Sequence, residues 1–211
     1  MLPQASMTLS LRIATVVVPV AVYFLVLGVL NSRRHPQLLS GRQDFSLLMI
    51  ALSPLAAVPV LEYVGVSWWA LVSVTAAVAG LVVVFAPRGH IWVIYNLSAE
   101  EARKGIGEAL RGLGCSFREG RRGFDVPGRS AFLSVDGFPL LRNASIRLRG
   151  GDAEFARRFE AALVNRLGGI QAEANPAGVS LLLVATAMLV APLALMAQDV
   201  PEIVRLLTDL F

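Results

Sequence analysis

Few residues that carry out chemistry are present in this chain, and they are scattered. The two histidines, His35 and His90, have no Cys, Asp or Glu at metal-ligand spacing, and Cys115 is the single cysteine. A single cysteine excludes an intrachain disulfide and a cysteine-based metal cluster. A haem held within a membrane usually takes a ligand such as histidine, and the apolar runs contain none. We therefore predict that the chain binds no metal and no cofactor.

Catalytic arrangements of carboxylates and serines are not recognisable either. Asp125 and Asp136 are candidates for a pair of acids, but Asp136 precedes Gly137 in a turn signal, where surface residues are usual. No Gly-x-Ser-x-Gly motif accompanies the serines. We predict that the protein is not an enzyme, and a membrane enzyme is only the third hypothesis.

Glu62 is the one carboxylate near the end of an apolar run. Intramembrane carboxylates are functional by default, because an unpaired charge is costly there. Its neighbours Tyr63, Gly65 and Trp68 favour the membrane interface instead, and the apolar runs hold no second acid or base for a proton relay. A self-sufficient transporter is therefore disfavoured.

The glycines at 105, 107, 112 and 114 follow a predicted strand, as they do in a phosphate-binding loop. In a dinucleotide fold, however, the glycines lie in the turn that opens the helix. Here Ser98 and Glu101 form a capping box that opens the helix seven residues earlier, so Gly105 falls inside it. We predict helix packing and not nucleotide binding.

Charge is distributed unevenly along the chain, and this distribution predicts the elements that position these residues. The chain is 55% hydrophobic and 16% charged, against about 25% charged in a soluble protein. Six charged residues lie in 11–86, 24 in 87–176 and none in 177–198. The pattern predicts an integral membrane protein, with an all-α transmembrane part of about four helices and one inserted polar domain.

The apolar runs predict where the helices lie. The first ends in a stop-transfer pattern at residues 31–34, which favours a membrane helix over a signal peptide. The second, 45–86, is too long for one span and breaks near Glu62, where Trp68 and Trp69 form an interfacial aromatic group. The predicted regions are an N-terminal transmembrane region at 1–86, with helices at about 12–30, 46–62 and 67–86, and a fourth helix at 176–198.

The last segment, 199–211, is predicted to be an amphipathic tail that lies on the membrane surface or docks on a partner. Its apolar residues fall at helical spacing, and its charged residues face elsewhere. The apolar residues are Ile203, Leu206, Leu207, Leu210 and Phe211, and the charged residues are Glu202, Arg205 and Asp209.

The polar segment, 87–175, predicts a small α+β domain. Its order is a strand at 90–96, a helix that Ser98 opens, a hairpin near residues 115–126, strands at 131–135 and 145–149, and a helix that Asp152 opens. This order suggests an antiparallel sheet with two helices on one face, in a ferredoxin-like layout.

Short loops predict the orientation. Arg33, Arg34 and Arg42 lie between the first two helices, whereas the next loop has no Lys or Arg. Because cytoplasmic loops are enriched in these residues, we predict that both termini are outside and that 87–175 is cytoplasmic. Arginine outnumbers lysine 18 to 1, which indicates a GC-rich bacterium and hence the bacterial inner membrane.

Two groups of residues are candidates for interactions. Basic residues of the polar domain predict contact with a partner or with anionic lipid, and no aromatic ladder supports nucleic-acid binding. These are Arg118, Arg121, Arg122, Arg147 and Arg149, with Arg129 and Arg142 in the same cluster. Small residues four apart predict close helix packing. These are Ser73, Ala76, Ala77, Gly80, Ala187 and Ala191.

Two functions remain open at this level. The first is a non-catalytic accessory or structural subunit of a larger bacterial membrane complex, whose partners are other membrane subunits, further copies of the chain and lipids. The alternative is a membrane-bound sensor or regulator, whose domain binds a small ligand, an anionic lipid or an acidic protein. The first follows from the lack of catalytic groups and the small-residue helix faces, and the second from the arginines.

Overall fold

A computed structural model describes residues 9–65, 67–173, 175–201, 204 and 208. The helices in this part of the chain are α1 (Leu9–Ser32), α2 (Gly41–Val64), α3 (Trp68–Phe85), α4 (Ala99–Gly112), α5 (Ala153–Gly168) and α6 (Pro176–Gln198). The strands are β1 (Gln37–Ser40), β2 (His90–Tyr95), β3 (Arg118–Gly120), β4 (Gly123–Val126), β5 (Ala131–Phe138) and β6 (Asn143–Gly150). The residues on which the amphipathic tail was predicted, 202, 203, 205–207 and 209–211, lie outside the described part.

The chain divides into two compact units. The helical unit comprises the described parts of 1–26, 45–86 and 181–211, and the sheet unit comprises 27–44 and the described parts of 87–180. Each unit is built from separated stretches of sequence. The sheet unit therefore draws residues from the segment between α1 and α2 as well as from the polar segment.

The helices α1, α2, α3 and α6 are, among the described residues, long enough and apolar enough to cross a membrane. This agrees with the multi-pass pattern predicted from the apolar runs. The second run is broken as predicted, because α2 ends at Val64 and α3 begins at Trp68. Ser67 caps α3, and its side chain accepts a hydrogen bond from the backbone N–H of Ala70.

Buried positions of the helical unit are mostly small, and its exposed positions are large and apolar. Ala14, Ala21, Ala51 and Ala185 are at most 3% exposed. Small residues let helix backbones approach closely, which is how helices associate in lipid. In contrast, the outward side chains are Leu, Val, Ile, Phe and Trp, among them Phe85 at 65% exposed.

The sheet is antiparallel throughout its described strands, in the order β1-β2-β6-β5-β4-β3. The strands β3 to β6 form a meander that returns to β2, and this order does not confirm the ferredoxin-like layout. The edge strand β1 was not predicted at all. It comes from the segment before α2 and pairs with β2, Leu38 opposite Ile94.

The core of the sheet unit lies between one face of the sheet and the helices α4 and α5. Ile106 of α4, Phe159 of α5 and Ile94, Leu133 and Ile146 of the sheet are fully buried. Both helices therefore cover the same face, as the order of elements predicted. On β4, β5 and β6 the other face carries mainly polar residues, among them Asp125, Ser134 and Arg147, whereas β2 places Ile91 and Val93 there.

Caps begin the helices of the sheet unit as the sequence predicts. Ser98 and Glu101 form the reciprocal capping box of α4, and Asp152 accepts from the backbone N–H of Phe155 at the start of α5. A second capping box, not predicted, opens α2, where the side chain of Gln43 accepts from the N–H of Ser40 at 3.0 Å and the side chain of Ser40 accepts from the N–H of Gln43 at 3.2 Å. This last cap sets the turn from β1 directly into α2.

Candidate interaction site

The open face of the sheet, opposite α4 and α5, carries a row of three charged residues and one aromatic residue across four strands. Residues directly opposite each other in an antiparallel pair share a face. Arg118 of β3 lies opposite Asp125 of β4, Asp125 lies opposite Phe132 of β5, and Phe132 lies opposite Arg149 of β6. Because Leu133, the next residue after Phe132, is buried in the core, this row faces away from the helices.

The next row of the same face adds a further arginine. Arg147 lies opposite Ser134 of β5 and Ile91 of β2. The remaining arginines, Arg121 and Arg122, lie in the β3–β4 turn. We assign them to the same face because they line a shallow pocket of about 420 Å³ together with Phe132. We call the following residues the arginine face: Arg118, Arg121, Arg122, Arg147 and Arg149. The structure thus places the predicted contact residues on one side of the sheet.

The five side chains of the arginine face have no ion-pair partner among the described residues, since no carboxylate there lies within 4.0 Å of them. All five residues are exposed. The remaining members of the predicted cluster differ, because Arg129 pairs with Asp152 at 3.7 Å and Arg142 pairs with Glu101 at 3.2 Å. Arg129 and Arg142 are therefore held by ion pairs within the sheet unit, whereas the guanidinium groups of the arginine face are available to a partner.

Carboxylates on the helix side of the sheet unit are held by hydrogen bonds and cations. The hydrogen bond from Ser98, opposed by partial burial and aided by Arg142, lowers the pKa of Glu101 below its ordinary value of 4.5. The hydrogen bond from Arg166 lowers the pKa of Glu108, and the pKa of Arg166 is raised in return. These charges are paired within the unit. The electrostatic potential of the open face is therefore determined mainly by the residues of that face.

The charge pattern of the open face is mixed and not uniform. Five arginines stand against Asp125 and Asp136, which are exposed on the same face. Phe132, half-buried, supplies an aromatic ring among them. Guanidinium groups bind carboxylates and phosphates through paired hydrogen bonds and stack on aromatic rings. The chemistry that these guanidinium groups and this ring offer is recognition of an anionic group.

The predicted helix-packing residues Ser73, Ala76, Ala77, Gly80, Ala187 and Ala191 are exposed in the single chain. Ser73 and Ala77 line a groove of about 450 Å³ between α2 and α3. Ala56 and Ala57 face them from α2, and Trp69 lies at the α3 end of the groove. Small side chains on both walls keep this groove open.

Glu62 is not an isolated carboxylate. Its Oε1 lies 3.0 Å from Nη1 of Arg12, and both side chains are partly exposed. The pair joins the beginning of α1 to the end of α2. Pairing with an arginine lowers the cost of a charge near a membrane, so it supports a structural role for Glu62 over a transport role.

Three buried asparagines form a junction that the sequence did not predict. They are Asn31 near the end of α1, Asn96 after β2 and Asn175 before α6, each at most 4% exposed. The side-chain amide of Asn96 donates to the carbonyl oxygens of Arg33 at 2.9 Å and Glu173 at 3.1 Å. Its positive φ of 59° is a conformation that asparagine tolerates better than most residues.

Backbone bonds complete this asparagine junction. The N–H of Ala172 donates to the carbonyl of Arg34 at 2.7 Å, and the N–H of Asn175 donates to that of Asn31 at 3.3 Å. A Cβ on Gly178 would lie 2.9 Å from Cβ of Asn31, so glycine permits the close approach of α6 to α1. The junction ties the segment after α1 to the segment before α6 through the turn after β2.

The other candidates of the sequence lie apart from one another. Nδ1 of His35 is 3.2 Å from the carbonyl of Ile170, and His90 stacks on Trp92. Cys115 is half-buried and free. No group of three His, Cys, Asp or Glu among the described residues is placed to hold a metal ion. The glycines Gly105 and Gly107 lie inside α4, as predicted.

Phe132 and the asparagine junction were missed by sequence reasoning, for different reasons. Alternation along 131–135 places Phe132 opposite the buried set, so a closer look at that strand would have found it on the open face. The asparagines are single residues far apart in sequence, with no pattern to link them.

The chain matches no protein-family model, no curated protein and no solved structure.

Proposed function

We propose that this protein is a non-catalytic accessory or structural subunit of a larger membrane protein complex in the bacterial inner membrane. In this proposal α1, α2, α3 and α6 span the membrane, both termini are outside, and the sheet unit is a cytoplasmic docking domain. Its partners are other membrane subunits or further copies of the chain, and membrane lipids surround it.

The observation that carries this proposal is the open groove between α2 and α3. Its lining is mostly apolar, with the small residues Ala56, Ala57, Ser73 and Ala77 on the facing helices beside larger ones such as Val60 and Leu81. Close approach of small residues is a main source of helix association in lipid, where apolar surface alone gives no driving force. A groove that the described residues leave open supports a helix of another subunit as its occupant.

The outward surface of the helical unit supports insertion into a membrane. Residues such as Trp69, Val83 and Leu183 are 65–78% exposed. So much apolar surface in water would drive aggregation, whereas lipid tails solvate it. The tryptophans at the start of α3 are the residue type favoured at a membrane interface.

A filling substitution in the groove tests the accessory role. Ala77→Leu places a larger side chain in the groove, and Ala79→Leu adds the same side chain about 200° around α3, since the helix turns about 100° per residue. We expect Ala77→Leu to dissociate the complex on native gels and Ala79→Leu to leave it intact. Equal behaviour of both variants would contradict the groove as the helix-binding surface.

Orientation is tested by labelling single cysteines with a membrane-impermeant maleimide, in a Cys115→Ala background. Tyr63 is 91% exposed at the end of α2, and Ser145 is exposed on β6. We expect Tyr63→Cys to react in intact cells and Ser145→Cys to react only after lysis. The reverse pattern would overturn the cytoplasmic assignment of the sheet unit.

The alternative function is a sensor or regulator whose sheet unit binds a small ligand, an anionic lipid or an acidic protein. The unpaired guanidinium groups of the arginine face favour it. Thermal unfolding of the chain in detergent, with and without inorganic phosphate, nucleotides or phosphatidylglycerol, tests this alternative. A rise in melting temperature that Arg149→Gln removes would support it, and no rise with any of these probes would count against it.

A further inference from the structure

We propose that the arginine face is the docking surface for an acidic, extended segment of another protein subunit. The inference rests on the proposed accessory function and names the partner chemistry of the sheet unit. It starts from the five guanidinium groups, which are exposed and have no ion-pair partner in the part of the chain that the structure describes.

The spacing of the arginines fits an extended chain. Arg147 and Arg149 are two residues apart on β6, which separates their side chains by about 7 Å along the strand. An extended segment with acidic residues at alternate positions repeats its carboxylates at the same spacing. Across the sheet, Arg149 and Arg118 are three strand spacings apart, which is about 14 Å. The arginine face is therefore wide enough to contact several residues of a bound segment.

Phe132 gives this surface an apolar anchor. It lies in register between Asp125 and Arg149, and its half-buried ring lines the pocket that also holds Arg121 and Arg122. Interfaces gain most of their affinity from aromatic and arginine residues that are desolvated together. A partner that places an apolar side chain over Phe132 and carboxylates beside it would desolvate both.

The carboxylates of the same face favour a protein segment over a lipid surface. Asp125 lies between Arg118 and Phe132 in register, and Asp136 is exposed one row beyond Ser134. A uniformly anionic bilayer surface would be repelled at both positions, whereas a protein segment can place a basic or neutral residue opposite each of them. Specific interfaces use such like-charge positions to reject wrong partners.

The first test uses a defined probe and a matched pair of charge reversals. The chain is reconstituted in phosphatidylcholine nanodiscs, and binding of a fluorescent peptide of about ten residues with alternating Glu and Val is followed by anisotropy. A peptide of the same composition with its Glu and Val in blocks is the sequence control. Arg149→Glu reverses a charge on the arginine face, and Arg157→Glu reverses one on exposed α5.

We expect the alternating peptide to bind more tightly than the block peptide, and Arg149→Glu to weaken it at least about fivefold, because reversal replaces attraction by repulsion. Arg157→Glu should change binding less than about twofold, as for a charge outside the interface. Equal effects of the two reversals, or equal binding of the two peptides, would overturn the proposal. Loss of binding to phosphatidylglycerol vesicles in Arg149→Glu, with peptide binding unchanged, would assign the face to lipid instead.

The second test identifies the native occupant. A photoreactive benzoylphenylalanine replaces Phe132 in the chain in its native membranes, and the crosslinked product is sequenced. The proposal expects a segment of another subunit with acidic residues at alternate positions. A crosslink to lipid, to a segment without acidic residues or to nothing would overturn it. Co-purification of partners with the unmodified chain, measured in parallel, shows separately whether the accessory function stands.

Discussion

At the residue scale, single buried polar residues stabilise the sheet unit, and Asn96 is the clearest case. Its side-chain amide donates to the carbonyls of Arg33 and Glu173, which belong to segments far apart in sequence. Removing the donor leaves two partly buried carbonyls without this bond, which costs part of their desolvation as well as the bond itself. The asparagine junction therefore depends on this one amide.

Asn96→Gly separates the amide from the backbone conformation, because glycine adopts the φ of 59° without strain. We expect Asn96→Gly to lose about 1–3 kcal/mol of unfolding free energy, for two partly buried hydrogen bonds. Trp92 fluorescence reports on the sheet unit in a Trp68→Phe, Trp69→Phe background, since these are the three tryptophans of the chain. An unchanged melting temperature would show that the amide bonds do not stabilise the fold.

The stability of the sheet unit depends on the charge of Glu101. Because its pKa is lowered in the folded protein, chiefly by the hydrogen bond from Ser98, the carboxylate stabilises the fold above the ordinary pKa of 4.5. This contribution is lost as the pH falls through the lower pKa of the folded state. We expect Glu101→Gln to lower the melting temperature near neutral pH and the difference to vanish in acid. A difference that does not change with pH would contradict this assignment.

At the scale of elements, β1 and the beginning of α2 are the least expected part of the fold. Gly41 begins α2 immediately after β1, and a Cβ there would lie 2.9 Å from Cγ2 and 3.0 Å from Cβ of Ile91 on the open face of β2. The hydroxyl of Tyr95 also donates to Asp44 in the first turn of α2. The start of α2 is thus packed on the sheet.

Gly41→Ala should be destabilising for this reason, by about 1–3 kcal/mol, the usual cost of overpacking. Gly112→Ala is the matched control, because nothing lies within 4 Å of its Cβ position at the end of α4. We expect only Gly41→Ala to lower the melting temperature that Trp92 reports. If both variants melt like the parent chain, the packing of α2 on β2 is wrong.

Local patterns predicted the elements that their own residues determine. The capping box of Ser98 and Glu101 and the long apolar runs each specify a helix from neighbouring residues, and both are present in the structure. The strand Gln37–Ser40 has no such signal, since it is a four-residue strand set by pairing with β2 more than fifty residues later. Asn96 likewise gains its role from carbonyls that only the folded chain brings near.

The sequence predicts that arginines make up the candidate site, but it does not predict how they are arranged. The sequence marks a cluster of seven arginines, but only the register shows that Arg147 and Arg149 share a face with Arg118. Only the folded chain shows that Arg129 and Arg142 are taken by Asp152 and Glu101. Pairing between strands, and between a turn and the start of a helix, depends on contacts that a linear pattern does not contain.

On the scale of the whole molecule, the part of the chain that the structure describes presents two surfaces without a partner. The groove lined by Ala57 and Ala77 is open, and the arginine face carries charges without partners among the described residues. Both features favour assembly over chemistry. If these surfaces bind partners, the protein exists as part of a complex.

Native mass spectrometry of the chain, extracted from its own membranes in a mild detergent, tests this claim most directly. The chain alone has a mass of 22.6 kDa. We expect a larger particle of fixed stoichiometry, which contains other membrane subunits or further copies of the chain. A stable particle of 22.6 kDa with no co-purifying protein would contradict it.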